Sequence, residues 1–157
     1  MIESKSVEDF LSHHRYAVVG ASDDPKNFGR TICREMSNRG YDVVPVHPQA
    51  AAVDGMPCFA DLASVPGDLD GVIVMVPAQR SAEVVQSAVE RGVPRVWLFQ
   101  GAGGGGSVSP EAVELCKQHN VQVVAGACPM MFLEPVGWFH RVHRTFRRMN
   151  GSLAKAS

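Results

Sequence analysis

The sequence predicts an α/β fold of three layers, in which helices cover both faces of a doubly wound parallel sheet of about five strands. Short apolar runs with the length of buried strands recur along the chain. Most of the segments between these runs have apolar residues at helical spacing. Strands that alternate with helices form a parallel sheet between two helical layers, which is the basis of the prediction.

Length, charge and cysteine usage limit the class of protein. The 157 residues suit one domain, residues 1–157, and the formal net charge of −1 gives no reason to expect nucleic acid as a partner. No apolar run approaches the roughly 18 residues of a membrane span, and residues 1–14 are too polar for a signal peptide. The four cysteines have no metal-ligand spacing. We therefore expect a reduced, cytoplasmic protein without a metal site.

The N-terminal part of the chain predicts a helix, a strand and a second helix. Residues 6–11 have one apolar face and Ser6 as a candidate N-cap. Residues 16–19 form the first apolar run. The second helix is predicted to begin after Asn27, which is a good N-cap residue, and to end at Gly40.

The turn between this strand and its helix is the first candidate for a binding site. Unpaired N–H groups and the positive end of the helix dipole favour a phosphate there. The turn contains Gly20 and Gly29 but lacks the Gly-x-Gly-x-x-Gly spacing of dinucleotide sites. An ordinary strand–helix connection is therefore the alternative interpretation.

The middle of the chain predicts the second and third strands of the sheet. Residues 41–46 form the second strand, in which Pro45 indicates an irregular or unpaired point. Residues 55–59 predict a short extended piece and residues 61–65 a turn of helix. Residues 72–76 are the most continuous apolar run and predict a central strand.

The following segments continue the alternation of strands and helices. A helix with Ser81 as its N-cap is predicted to end at Gly92, and residues 95–100 form the fourth strand. Ser109 caps the next helix, which precedes the fifth strand at residues 121–125. The glycine run 103–106 is either a cover over a ligand or a surface insertion.

Ligands of such sheets lie at the carboxyl ends of the strands, where the strand order reverses. No carboxylate follows the second strand, which argues against NAD, and His47 tolerates a ribose phosphate or, if protonated, favours it. His47 is otherwise a partly exposed loop residue. Arg80 is a candidate for a phosphate or carbonyl contact or else a surface residue. Cys128 is a candidate nucleophile or a packing residue.

Residues 134–149 predict a basic amphipathic helix. The apolar positions and the arginines alternate at helical spacing: Trp138, Val142, Phe146 and Met149, with Arg141, Arg144, Arg147 and Arg148. The helix either docks on RNA, acidic lipid or an anionic ligand, or packs on the sheet with its arginines in water.

Four segments together resemble one family. They are Val-Val-Gly-Ala-Ser at residues 18–22, Gly-Tyr-Asp-Val-Val-Pro-Val-His-Pro at 40–48, Val-Trp-Leu-Phe-Gln-Gly at 96–101 and Cys-Pro-Met-Met-Phe-Leu-Glu at 128–134. In these segments the chain resembles the stand-alone bacterial CoA-binding proteins, which are similar to the CoA-binding domain of the succinyl-CoA synthetase α subunit.

The resemblance implies a Rossmann-like domain that holds coenzyme A. It implies pyrophosphate contacts by Gly20, Ala21, Ser22, Phe28, Gly29 and Arg30, and adenosine contacts by His47, Pro48, Val76 and Pro77. It implies a pantetheine arm that passes Gln100, Gly101, Cys128 and Pro129. Arg80 and Ser81 complete the candidate cofactor-binding set. The histidine that is phosphorylated in the synthetase is expected to lie outside this chain, so the resemblance does not extend to ligase activity.

The sequence thus favours a protein that binds CoA or an acyl-CoA without catalytic machinery of its own. The alternative is an NAD(P)- or acyl-CoA-dependent enzyme that uses Cys128 or His47. A third hypothesis is an interaction protein that works through the basic C-terminal helix. The small-molecule nucleotide is the expected partner, and assembly into a homo-oligomer is left open.

Overall fold

The computed structural model describes residues 4–101 and 106–133. The α-helices of these residues are α1 (Ser4–Leu11), α2 (Phe28–Asn38), α3 (Ala78–Arg91) and α4 (Pro110–Gln118). The strands are β1 (Arg15–Val19), β2 (Asp42–Val46), β3 (Ala52–Val53), β4 (Met56–Pro57), β5 (Gly71–Val74), β6 (Arg95–Leu98) and β7 (Gln122–Ala125). Two 3₁₀ turns lie at Leu62–Ser64 and Pro129–Met131.

Five of the strands form one parallel sheet in the order β2-β1-β5-β6-β7. The chain first moves from β1 to the edge strand β2 and then crosses to β5 on the other side of β1. The strand order therefore reverses between β1 and β5. The remaining strands, β3 and β4, pair as a small antiparallel hairpin. The predicted doubly wound α/β fold with five parallel strands is confirmed.

Consecutive residues of β1 point into two different cores, which gives the three layers. Tyr16 and Val18 pack with α1 and α2, whereas Ala17 and Val19 pack with α3 and α4. The residues that the helices contribute to the first core are Val7, Phe10, Ile32, Cys33 and Met36. Those that they contribute to the second core are Val84, Val85, Ala88, Ala112 and Cys116.

Several local predictions agree with the structure. Asn27 caps α2 by accepting from the Arg30 N–H, and Ser109 caps α4 by accepting from the Ala112 N–H. Gly92 follows α3 with φ of +79°, the left-handed conformation that glycine adopts without strain.

Two local predictions were wrong. Helix α1 begins at Ser4, so Ser6 lies within its first turn rather than at the N-cap. The burial of Val7 and Phe10 determines which side of the helix faces the core, but it does not determine the residue at which the helix begins. Pro45 does not interrupt β2, which is regular and pairs Pro45 with Val18. Proline has no N–H to donate, but β2 is an edge strand and no neighbouring strand of the sheet needs a donor from its outer side at residue 45.

The C-terminal helix predicted for residues 134–149 and most of the glycine run 103–106 lie outside the described residues. Within the described ranges, no helix has the length and apolar character needed to cross a membrane. The same ranges contain no cluster of three or more His, Cys, Asp or Glu side chains that could hold a metal ion.

Asp70 connects β1 and β5 at the N-terminal edge of the sheet. Its Oδ2 accepts hydrogen bonds from the backbone N–H groups of His14, at 3.0 Å, and Arg15, at 2.9 Å. Partial burial raises the pKa of this carboxyl, but the two N–H donors and nearby cationic side chains together leave its pKa below the ordinary value of 3.8.

Replacing Asp70 by asparagine is expected to lower the free energy of unfolding at pH 7 by about 1 kcal/mol, because a charge-assisted pair of hydrogen bonds is weakened. The folded-state pKa of Asp70 lies below the unfolded value, so its contribution is complete above about pH 5 and is lost on acidification through the folded-state pKa. Urea unfolding of both proteins between pH 3 and pH 7 would measure this difference.

The exposed neighbour Asp68 provides the control, and D68N is expected to be as stable as the wild type within about 0.5 kcal/mol. A D70N deficit that did not shrink toward pH 3 would contradict the assigned role of the charge.

Candidate functional site

Gly20 directly follows β1 at the point where the strand order reverses. Its φ is +110°, and a Cβ atom there would lie 2.6 Å from the Met75 carbonyl oxygen. Its N–H donates to the Val46 carbonyl at 2.9 Å. The absence of a side chain at this position thus lets the exits of β1, β2 and β5 approach one another closely.

Asn27 fixes the loop that follows. Its Oδ1 accepts from the N–H groups of Arg30 at 2.9 Å and Ser22 at 3.2 Å, and its Nδ2 donates to the Gly20 carbonyl at 3.0 Å. A Cβ atom at Gly29 would lie 2.8 Å from the Ala21 Cα, so α2 begins directly against the loop. The first N–H groups of α2, which have no partner within the helix, therefore border the strand exits.

A cleft with two lobes lies at these strand exits. The wide lobe has a volume of about 630 Å³ and the narrow lobe about 480 Å³. The lobes share Gly20, Asn27, Met75, Val76 and Pro77. Each volume falls within the roughly 300–1,000 Å³ that is typical of small-molecule sites. A long ligand could therefore cross the switch point and occupy both lobes.

The wide lobe carries charged and titratable side chains. Arg80 Nε lies 3.1 Å from Glu83 Oε1, and both side chains are exposed. Asp61 Oδ1 caps the 3₁₀ turn by accepting from the Ser64 N–H at 2.9 Å. Asp61 and Glu83 were not among the predicted site residues.

His47 also lines the wide lobe, where one hydrogen bond holds its backbone and another holds its ring. Its backbone N–H donates to the Phe59 carbonyl at 2.9 Å, which brings the segment after the β3–β4 hairpin beside β2. Its Nδ1 accepts from the Gln49 N–H at 3.1 Å. Because Nδ1 is an acceptor in this arrangement, the neutral ring has its proton on Nε2.

The predicted cofactor-binding residues divide into two groups. Those that line the cleft are Gly20, Phe28, Gly29, His47, Pro48, Val76, Pro77 and Arg80. Those that line neither lobe are Ala21, Ser22, Arg30, Ser81, Gln100, Gly101, Cys128 and Pro129. Four members of the second group, Arg30, Ser81, Gln100 and Cys128, have contacts that hold them outside both lobes.

Arg30 is held by carboxylates. Its Nε lies 3.3 Å from Asp23 Oδ1 and its Nη2 lies 3.4 Å from Asp54 Oδ1. The same Asp23 oxygen accepts from the Asp54 N–H at 2.9 Å. This arrangement balances the charge of Arg30 beside the loop and joins the loop to the β3–β4 hairpin.

Ser81 is not the N-cap of α3. The helix begins at Ala78 after Pro77, and Ser81 is fully buried with a relative exposure of 0%. Its hydroxyl donates to the Ser107 carbonyl, and the Ser107 hydroxyl donates to the Val76 carbonyl. Ser81 thus supports the wall of the cleft from behind, through a partner 26 positions along the chain.

Replacing Ser81 by alanine is expected to lower the free energy of unfolding by about 1–2 kcal/mol, because a buried carbonyl loses its donor. Thermal or urea unfolding would measure the effect. The control is Ser87→Ala on the same helix, where the hydroxyl makes a more exposed 3.3 Å bond to the Glu83 carbonyl, and a change below about 0.5 kcal/mol is expected. Equal losses in both variants would contradict the supporting role of Ser81.

The predicted residues after β6 and β7 pack against each other. The Gln100 N–H donates to the Ala127 carbonyl at 3.0 Å, and Gln100 forms an isolated antiparallel bridge with Gly106. Cys128 has a relative exposure of 9% and belongs to the core that α1 and α2 cover. Burial raises the pKa of its thiol, although nearby backbone N–H groups oppose this effect. A buried protonated thiol is a weak nucleophile.

Comparisons with known proteins identify a family and support the fold. The family described as "CoA binding domain" matches residues 14–134. The uncharacterized protein YneT of Bacillus subtilis (strain 168) is 28% identical over 114 residues, which are 73% of this chain and 81% of YneT.

A second relative is a much longer protein. The α subunit of acetate–CoA ligase (ADP-forming) II from Pyrococcus furiosus is 26% identical over 125 residues, which are 76% of this chain. The chain spans 27% of that subunit. A solved structure, a hypothetical protein from Pyrococcus horikoshii OT3, superposes with a TM-score of 0.76 at 24% identity and covers 83% of this chain and 89% of its own. The solved structure supports the fold.

Proposed function

The chain belongs to the CoA-binding domain family, and on that premise we propose that it binds coenzyme A across both lobes of the cleft. The observation that carries this proposal is the junction of the lobes. There, Asn27 holds the loop after Gly20 against the start of α2, and the N–H groups of Phe28 and Gly29, which have no partner within the helix, border the switch point of the sheet. Such a junction suits the pyrophosphate of a nucleotide, with one part of the ligand on each side.

In the proposed arrangement the adenosine and its 3′-phosphate occupy the wide lobe. His47 Nε2–H is a donor for a phosphate oxygen, and Arg80 provides a positive charge. The Arg80–Glu83 ion pair is no obstacle. An exposed pair of this kind contributes at most about 1 kcal/mol, so a phosphate can replace Glu83 as the partner of Arg80.

The pantetheine arm occupies the narrow lobe, which extends from α2 to the exit of β6. Phe28, Gly29 and Phe99 are among the residues that line it. Predicted contacts of the arm with Gln100, Gly101, Cys128 and Pro129 stay predictions, since these residues do not line the lobe. Binding without catalysis is the proposal, because the buried Cys128 thiol is poorly suited to act as a nucleophile.

A calorimetric titration of the protein with CoA, dephospho-CoA and NAD tests the proposal. CoA is expected to bind, and loss of its 3′-phosphate is expected to weaken binding about tenfold, because charge-assisted hydrogen bonds are lost. NAD is expected not to bind, because no carboxylate directly follows β2. Binding of NAD without binding of CoA would overturn the proposal and make Asp61 the candidate acceptor for a ribose hydroxyl.

A further inference from the structure

The two lobes of the cleft differ in charge. Among the described residues, the charged side chains that line the cleft are Asp61, Arg80 and Glu83, and all of them line the wide lobe. The described lining of the narrow lobe contains none. In the proposed arrangement the pyrophosphate takes the N–H groups at the start of α2, so a charged group at the far end of the ligand would find no described counter-ion in the narrow lobe.

Two of the polar side chains that line the narrow lobe, the half-buried Asn27 and the buried Ser107, already form hydrogen bonds within the protein. The side chain of Asn27 holds the loop through three hydrogen bonds, and the Ser107 hydroxyl donates to the Val76 carbonyl. Gln79, which is exposed at the start of α3, is the remaining polar side chain of the described lining. The lobe thus offers mainly apolar surface to a ligand.

An aromatic pair forms part of that surface. The ring centroids of Phe28 and Phe99 lie 5.5 Å apart, and both residues line the narrow lobe. Phe28 is the first residue of α2, yet its side chain is 44% exposed and contributes little to either core. Apolar surface that faces a cleft gains from being covered when a ligand binds.

We propose that the narrow lobe contains an acyl-binding subsite, which takes CoA thioesters whose acyl group is short, apolar and uncharged. The inference rests on the proposed function, since the pantetheine arm must bring the thioester into this lobe. Phe28 and Phe99 cover the acyl group, and the lack of a described counter-ion discriminates against acyl groups that end in a carboxylate.

Butyryl-CoA and succinyl-CoA provide a matched test, because both acyl groups have four carbons and only the second ends in a carboxylate. In calorimetric titrations butyryl-CoA is expected to bind about tenfold more tightly than CoA, because apolar groups leave water. Succinyl-CoA is expected to bind more weakly than CoA, because its carboxylate is desolvated without a partner.

Two variants test whether the acyl group lies in the narrow lobe. In F28A the ratio of the CoA and butyryl-CoA dissociation constants is expected to fall toward one, because part of the acyl-covering surface is removed. In Q79K the new charge at the rim is expected to improve succinyl-CoA binding relative to butyryl-CoA by about tenfold. Each ratio is taken within one variant, so a general change in CoA affinity does not affect it, and a thermal unfolding scan confirms that each variant is folded.

The outcomes separate the two proposals. If CoA binds and butyryl-CoA is no tighter, or succinyl-CoA binds as tightly as butyryl-CoA, the acyl subsite is overturned while CoA binding stands. If CoA, butyryl-CoA and succinyl-CoA all fail to bind, the proposed function fails and the subsite fails with it. If a variant does not fold, the wild-type ratios alone decide.

Discussion

Replacing Gly20 by alanine is expected to lower the free energy of unfolding by about 3 kcal/mol and to abolish measurable CoA binding. Two effects add at this position. The backbone φ of +110° is unfavourable for a residue with a side chain, and the new Cβ would lie 2.6 Å from the Met75 carbonyl oxygen. Because that oxygen belongs to the backbone after β5, relief requires the exits of β1 and β5 to separate. Both lobes share this junction, so the site is deformed as a whole.

Gly55→Ala is the matched control for this variant. Gly55 has φ of +82°, but a Cβ atom there would meet nothing within 4 Å. The control therefore measures backbone strain without a steric clash, and a loss of about 1 kcal/mol is expected with CoA binding retained. Urea unfolding and a CoA titration of both variants make the comparison. Equal losses of stability would show that the close approach of β1 and β5 is not what requires Gly20.

Replacing Asn27 by aspartate is expected to weaken CoA binding about a hundredfold while lowering the free energy of unfolding by no more than about 1 kcal/mol. Aspartate retains the acceptor for the Ser22 and Arg30 N–H groups and is an equally good N-cap. It loses the donor to the Gly20 carbonyl and places a negative charge at the junction of the lobes. Repulsion of the pyrophosphate should then dominate the effect on binding.

Asn38→Asp controls for the change in net charge. Asn38 is exposed at the opposite end of the same helix, so the same new charge lies away from the cleft. CoA affinity is expected to stay within about twofold of the wild-type value at physiological salt, because solvent screens an exposed charge beyond about 8 Å. If the two variants weakened CoA binding equally, the pyrophosphate would not lie near Asn27.

Features that depend on neighbouring residues could be predicted from the sequence. The parallel sheet follows from apolar runs that alternate with helices, and the five-strand sheet confirms it. Asn27 and Ser109 were identified as N-caps because the capping contact reaches only three residues along the chain. A site at the carboxyl ends of the strands, where their order reverses, was also predicted, whereas the position of that reversal between β1 and β5 comes from the structure.

Features that depend on distant partners could not be predicted in this way. Ser81 has the residue type of an N-cap, but its hydroxyl is buried by contact with Ser107, which only the packing of the loop after β6 on α3 reveals. Arg30 has the position of a phosphate ligand, yet Asp54 from the β3–β4 hairpin shares its charge. Asp61 joins the wide lobe because the segment after that hairpin lies beside β2.

Hydrogen–deuterium exchange of the backbone amides, with and without saturating CoA, tests the central claim most directly. Binding across both lobes predicts slower exchange in peptides that cover residues 19–30, 46–49 and 75–81. Peptides from the opposite edge of the sheet, residues 66–71 and 91–95, should exchange at unchanged rates and serve as the internal reference. Protection confined to that opposite edge, or no protection anywhere at saturating CoA, would contradict binding at the switch-point cleft.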